Sequence, residues 1–313
     1  ITMAINLVLQ GMLRPGDHVL VSPMEHNAVM RTLHQLSKKG VLYDVLPSDP
    51  DGMVHPEAIE AMIRPETKLI CICHESNVTG IIQPIRAIGT AVKKTDALLL
   101  VDCAQSAGSV PLGLNADFID FLTFTGHKGL LGPMGTGGVL FGDRVNIETI
   151  NPLIFGGTGS VSDKYTQPDF MPDRFESGTQ NVVGLAGLIA GIKWLKERGT
   201  ENLRFDTDRR MRWLIDGLRS IHGVNVYGAA NPEYQGVTVS VTIDGVDNGT
   251  AGARLDQEFG VLSRIGLHCS PAAHRTIGTF PNGTIRFSIS PLTGDREIAC
   301  TLKAVEHIAS DPL

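Results

Sequence analysis

The first 141 residues alternate short apolar runs with helix-like stretches, and this alternation restricts the fold more than any other feature of the chain. Helix signals over 2–13, 28–38, 56–63 and 84–94 are interleaved with strand signals at His18–Ser22, Val41–Leu46, Lys68–His74, Ala97–Asp102, Phe118–Thr123 and Gly138–Phe141. The strands are apolar along their length rather than at every second position. Strands of that kind are buried on both faces. The pattern therefore predicts an α/β fold: a mostly parallel sheet with helices on both faces. In such sheets ligands collect beyond the carboxyl ends of strands. Asp102, the 125–128 segment and Asn77 fall at or just past such ends.

Residues 151–182 are rich in Gly, Pro and polar types and predict an extended excursion that reaches towards a neighbouring subunit. Helices near 183–198 and 202–222 follow. The last third changes character, with strands near Val224–Tyr227, Val237–Ile243, Val261–Ile265 and Thr284–Ser288 separated by helices near 248–259 and 295–309. This predicts two domains, a large α/β domain over 1–200 and a small α+β domain over 201–313. A chain of 313 residues can bury a core for each.

The net charge is −6 and no dense Lys/Arg block occurs, which argues against a nucleic-acid partner. No apolar run is long enough to cross a membrane. The stretch from Ile1 to Leu9 lacks a basic n-region and reads as the inside of a helix, so the chain is expected to begin partway into a larger protein. Five cysteines at 71, 73, 103, 269 and 300 form no regular framework. They predict reduced thiols and a cytoplasmic setting. Cys71-x-Cys73-His74 has the wrong spacing for a zinc knuckle, and His268, Cys269 and His274 lack a fourth ligand, so no metal site is expected.

Two strand ends carry the chemistry. Leu98-Leu99-Leu100-Val101 ends in Asp102, and Phe124-Thr125-Gly126-His127 runs into Lys128 beside a Gly-rich segment. A lysine amine and a buried carboxylate in this arrangement suit a pyridoxal phosphate enzyme, which needs an amine for the cofactor aldehyde and an anion for its ring nitrogen. Taken singly, each residue has a plainer reading. Lys128 is then a solvated lysine at a strand end, and Asp102 a helix cap. Gln105 and Asn77 suit the ring's phenolic oxygen or a turn. Thr125, His127 and Thr2 suit a phosphate. His26 suits stacking on the ring, or is a surface histidine.

In combination these segments resemble the class V aminotransferase group of fold-type I, and within it the cysteine desulfurases and selenocysteine lyases. The resemblance rests on Val101-Asp102-Cys103-Ala104-Gln105, Thr125-Gly126-His127-Lys128, Thr2 to Leu7, Met24-Glu25-His26-Asn27, His74 to Gly80 and Arg174 to Asn181. It implies pyridoxal phosphate on Lys128 and ring contacts from Asp102, Gln105, Asn77 and His26. It also implies phosphate contacts from Thr125, His127 and Thr2, a homodimer, and Thr158 reaching across the interface. Met3 stands where such proteins usually have an acidic residue. They also carry a further stretch ahead of the position of Ile1, including part of the active-site entrance.

Ser263-Arg264-Ile265-Gly266-Leu267-His268-Cys269-Ser270 resembles the Arg-x-Gly-x-His-Cys-Ala segment of desulfurases with a short catalytic loop, with Ser270 in place of the frequent Ala. The resemblance implies that Cys269 is a nucleophile and His268 an aid to thiolate formation. Arg286 is implied as the clamp for the substrate carboxylate. The implied reaction is conversion of L-cysteine to alanine, with a persulfide left on Cys269 for an acceptor protein or small thiol. Selenocysteine lysis or another class V reaction is the alternative. The resemblance leaves the pathway open among iron–sulfur clusters, thio-modified RNA and selenium supply. Cys103, beside Asp102 on a strand, is expected to be packing.

Overall fold

The computed structural model describes residues 1–311. Its first sheet contains β1 (His18–Val21), β2 (Leu42–Val45), β3 (Thr67–Cys73), β4 (Leu98–Asp102), β5 (Phe121–Thr125) and β6 (Gly137–Phe141). The spatial order is β2-β1-β3-β4-β5-β6, parallel except for β6, which runs antiparallel to β5. Helices α1 (Thr2–Met12), α2 (Asn27–Ser37), α3 (Pro56–Met62) and α4 (Ile85–Val92) cover the two faces.

The apolar strands have a direct explanation. Val19, Val21, Leu69 and Cys71 pack with Ile5, Val8, Val29 and Leu33 of α1 and α2. Their neighbours Leu20, Ile70 and Ile72 pack on the opposite side with Ile59, Ile85 and Ile88 of α3 and α4. Successive side chains point to opposite faces, and both faces are core. The edge strand β2 departs from this pattern, with Leu42 and Val45 exposed.

The strand expected at 118–123 begins three residues later. Phe118 adopts φ 57°, and the Ile119 N–H bonds the Leu114 carbonyl, so these residues finish a turn. The 151–181 excursion contains no helix or strand. It is tied down by Arg174, which donates to the carbonyls of Glu148 and Ile150, and by Phe175 stacked on Phe141.

After α5 (Val182–Arg198) and α6 (Thr200–Ser220) comes the second sheet, built from β7 (Val224–Tyr227), β8 (Thr238–Ile243), β9 (Arg264–Gly266) and β10 (Thr284–Ser288). Its order is β7-β8-β10-β9 and all its pairs are antiparallel. With α6, α7 (Asn248–Phe259) and α9 (Asp295–Ser310) it encloses a separate core of Leu214, Leu218, Val239, Val241, Ile285 and Val305. The strand expected at 261–265 is shifted, because Leu262 is solvent-facing. A short helix, α8 (Pro271–Thr276), also goes beyond the sequence reading; Pro271 opens it at a first-turn position that proline favours.

The segment after β3 joins the two sheets. Glu75 accepts from the Val237 N–H, Thr79 and Val78 carbonyls accept from Gln235 and Ser240, and the Asn77 carbonyl accepts from Arg286. Glu75 is fully buried, and burial raises its pKa to about 7. Glu25, buried beneath the β1 and β3 ends, accepts from the Ser22 hydroxyl and the Cys73 N–H, and burial raises its pKa from 4.5 to about 8. A raised carboxyl pKa means that between these two values the folded chain binds more protons than the unfolded one. Its contribution is therefore present below about pH 4.5 and is lost as pH rises towards 8. Glu25→Gln keeps the acceptor oxygen and removes the titration. We expect this variant to flatten the decline in urea midpoint between pH 5 and pH 8, with a ceiling on the order of 5 kcal/mol. An unchanged pH slope would show that Glu25 titrates normally.

Candidate active site

A cavity of about 350 Å³ lies where the carboxyl ends of the first sheet meet the second sheet, and its walls include His26, Asn77, Gln105, Lys128, Cys269 and Arg286. The size suits a small-molecule site. A larger and more open groove, about 570 Å³ along α4, contains none of these six.

Lys128 stands in the turn after β5. The backbone there passes close to the turn after β4: a Cβ on Gly129 would lie 2.5 Å from the Ala107 carbonyl oxygen. Glycine is what lets the two strand ends converge. Lys128 opens to solvent through the cavity, yet the protein around its amine lowers its pKa, burial being the largest cause. The nearby Asp102 carboxylate opposes that shift.

Asp102 closes β4 and is 2% exposed. One of its oxygens accepts from the Ala104 N–H at 2.8 Å, so it does cap a turn. It is also a buried acid whose pKa burial raises, while the Ala104 bond, His26 and Lys128 pull it back. Gln105 is half-buried in the same turn, and its side-chain amide has no protein partner among the described residues. His26 is the N-cap of α2, accepting at Nδ1 from the Ala28 N–H at 3.0 Å. That bond places the proton of the neutral ring on Nε2. Burial, the largest cause, lowers its pKa and favours this neutral form.

Asn77 does more than either reading of the sequence allowed. Its Nδ2 donates to the His268 carbonyl at 2.5 Å, and its Oδ1 accepts from the Ser270 hydroxyl at 2.7 Å. The amide thus brackets Cys269 and still has one N–H for the cavity it lines.

Cys269 is exposed, in contrast to Cys71, Cys73 and Cys103, whose thiols burial pushes to higher pKa. Cys103 packs against its own strand, as expected. The Cys269 Sγ accepts from Arg264 Nη2 at 3.6 Å. Among the described residues no hydrogen bond joins the His268 imidazole to the thiol. The imidazole Nε2 bonds the Thr284 hydroxyl at 3.0 Å, its ring lies 5.4 Å from that of His274, and burial lowers its pKa to about 3. Burial thus favours its neutral form, while its Nε2 is engaged by the second sheet. The cation beside the sulfur is Arg264, to which the sequence reading assigned no role.

Arg264 and Arg286 sit directly opposite each other on β9 and β10. Like charges at paired positions destabilise a sheet. Among the described residues neither forms an ion pair, and the Arg286 Nε is buried without a partner. Two unneutralised guanidinium groups at the rim of one cavity favour an anionic ligand group.

Thr125 ends β5, with its hydroxyl 2.9 Å from the Nδ1 of exposed His127. The first turn of α1, which contains Thr2, lies alongside: a Cβ on Gly137 would meet Ile1 N at 3.0 Å and Thr125 Cα at 3.3 Å. The start of α1, Thr125 and His127 therefore lie in one neighbourhood. Thr158 lies apart, in the excursion, bonded to the Ser160 hydroxyl at 3.2 Å.

Among the described residues, no group of three His, Cys, Asp or Glu could hold a metal, and no helix is long and apolar enough to cross a membrane.

The family model for aminotransferase class V matches residues 1–299. A probable cysteine desulfurase from Methanothermobacter thermautotrophicus is 34% identical over 312 residues, covering 98% of this chain and 77% of that protein. A probable cysteine desulfurase from Pyrococcus abyssi is 30% identical, covering 97% of this chain and 76% of its own. The structure of a cysteine desulfurase from Thermococcus onnurineus superimposes with a TM-score of 0.90 at 29% identity, covering 99% of this chain and 77% of the other. The cysteine desulfurase CsdA from Escherichia coli gives 0.89 at 26% identity, covering all of this chain and 78% of the other.

Proposed function

The chain belongs to the class V aminotransferase family, and from that premise we propose that it is a pyridoxal phosphate-dependent cysteine desulfurase. The observation that carries the reading is that Lys128 and an exposed cysteine, Cys269, line one cavity. The residues around that cavity fit the cofactor. The neighbouring residues Thr125, His127 and Thr2 would hold its phosphate. Lys128 would hold its aldehyde, and Asp102 its ring nitrogen. Gln105 and the free Asn77 N–H would serve its phenolic oxygen, and neutral His26 its ring face. When bound, pyridoxal phosphate supplies an electron sink next to the substrate's α-carbon.

The remaining steps belong to the chain's own residues. Arg286 binds the substrate carboxylate. The amine of Lys128, unprotonated more readily than an ordinary lysine, takes the α-proton at Nζ. The Cys269 sulfur attacks the substrate sulfur. The carbon–sulfur bond breaks, a sulfur–sulfur bond forms, and the carbon gains a proton. The products are alanine and a persulfide on Cys269, which a small thiol or acceptor protein collects. Arg264, whose Nη2 donates to the Cys269 sulfur at 3.6 Å, is the residue we assign to orient that sulfur for attack. We further propose that 1–200 and 201–313 act as two domains, that the protein is a cytoplasmic homodimer with Thr158 reaching the partner's site, and that the sulfur serves a pathway such as iron–sulfur cluster assembly.

The test is release of sulfide and alanine from L-cysteine by purified protein supplied with pyridoxal phosphate and a thiol. Equal amounts of the two products are expected. Turnover of selenocysteine alone would replace this reading with the lyase alternative. Arg286→Ala should raise KM for cysteine about 10–100-fold, the cost of losing hydrogen bonds to a charged group. Steady-state kinetics measure this, and an unchanged KM would remove Arg286 from substrate binding.

A further inference from the structure

We infer that Ser270 is a positioning residue that holds the Cys269 thiol against Arg264 by locking the Asn77 amide; the inference rests on the nucleophile role proposed for Cys269. Three consecutive residues of the cysteine loop are latched to the ends of the first sheet. The His268 carbonyl accepts from Asn77 Nδ2, the Cys269 carbonyl accepts from the Asn27 N–H at 2.8 Å, and the Ser270 hydroxyl donates to Asn77 Oδ1. His268 and Ser270 are buried, whereas Cys269 between them is exposed.

The backbone explains why such a latch is required. His268 and Cys269 have φ of 49° and 62°, two consecutive non-glycine residues in the left-handed region. That conformation is unfavourable for L-residues and persists only where the surroundings enforce it. It sends the His268 and Cys269 side chains different ways: imidazole into the second sheet, thiol outward to Arg264.

The polarity of the latch makes Ser270 decisive. The His268 carbonyl can only accept, so it must face the amide's nitrogen. The amide oxygen is then left needing a donor, and the Ser270 hydroxyl is that donor. An alanine at this position, frequent in the resembling segment, leaves the oxygen without this bond. The amide is then free to swing, and the loop loses its register on the wall of the cavity. Asn77 belongs to that wall, so the latch also ties the thiol's position to whatever the cavity holds.

The experiment is a double-mutant cycle on thiol reactivity, which needs no turnover. Protein purified with pyridoxal phosphate is treated with iodoacetamide at fixed pH, and alkylation of the peptide carrying Cys269 is followed by mass spectrometry. Arg264→Ala and Ser270→Ala should each slow alkylation about threefold or more, and the double variant should be no slower than the slower single one, because residues acting through one contact are not additive. Ser270→Thr, which keeps the hydroxyl, should recover most of the rate. If Ser270→Ala folds poorly, Asn77→Asp, which loses the donor to His268, should equally abolish the effect of Arg264→Ala. Additive slowing, or no effect of Arg264→Ala in the parent protein, would overturn the inference. Failure of the desulfurase reading shows separately, as absence of sulfide, and leaves the cycle interpretable.

Discussion

Lys128→Ala is expected to lose the visible absorption of lysine-bound pyridoxal phosphate and at least about 10³-fold in sulfide release, the range for removing a positioned proton-transfer group. The basis is structural as well as chemical. The amine lies at a converging pair of strand ends, and burial lowers its pKa while Asp102 resists. Neutral amine is therefore more available than on a surface lysine, yet an anion remains nearby to stabilise whatever positive charge develops. Lys128→Arg separates these contributions. It retains the cation facing Asp102 but offers no amine, so it should fold and bind phosphate while staying inactive. Absorption and activity are read on the same samples. Recovery of sulfide release in Lys128→Arg would show that the residue supplies charge rather than an amine, and the proposed chemistry would fail.

The fold was legible in the sequence where one physical rule dominated. β1 and β3 divide their side chains between two cores, so their apolar runs could belong only to a covered sheet. Asp102 and Lys128 stood out because one closes such a strand and the other follows just past the end of another. Contacts made across distant segments did not. Arg264 acquires its place from the β9–β10 register, which sets it opposite Arg286. No local pattern announces that pairing, although Arg264 falls within the segment that marks the cysteine. The Asn77–Ser270 bond joins the turn after β3 to the loop after β9, 193 residues apart. His268, next to Cys269 in sequence, has its Nε2 bonded to the Thr284 hydroxyl, a contact that adjacency does not announce. Both His268 and Cys269 adopt positive φ, and burial favours the neutral imidazole.

Cys269→Ala should produce the opposite dissociation from the lysine variant, with the cofactor band retained and sulfide release lost. The thiol is carried by the loop after β9, whereas Lys128 and Asp102 come from strand ends of the first sheet and His26 from the start of α2. Removing one sulfur from an exposed loop position leaves those contacts intact, so cofactor and substrate should still bind. The substrate's carbon–sulfur bond then lacks an acceptor for its sulfur, and release should fall by about 10² or more, as for loss of a nucleophile that splits a hard step into two easier ones. Cys300 is the necessary control, because it is the other exposed cysteine and lies on α9, packed in the second sheet's core region away from the cavity. Cys300→Ala should leave sulfide release unchanged. If Cys269→Ala kept full sulfide release from cysteine while Cys300→Ala abolished it, the persulfide would sit on the wrong thiol. If neither mattered, sulfur would leave without a protein nucleophile. The first result would move the nucleophile from Cys269 to Cys300, and the second would place this chain among the class V enzymes that work by elimination.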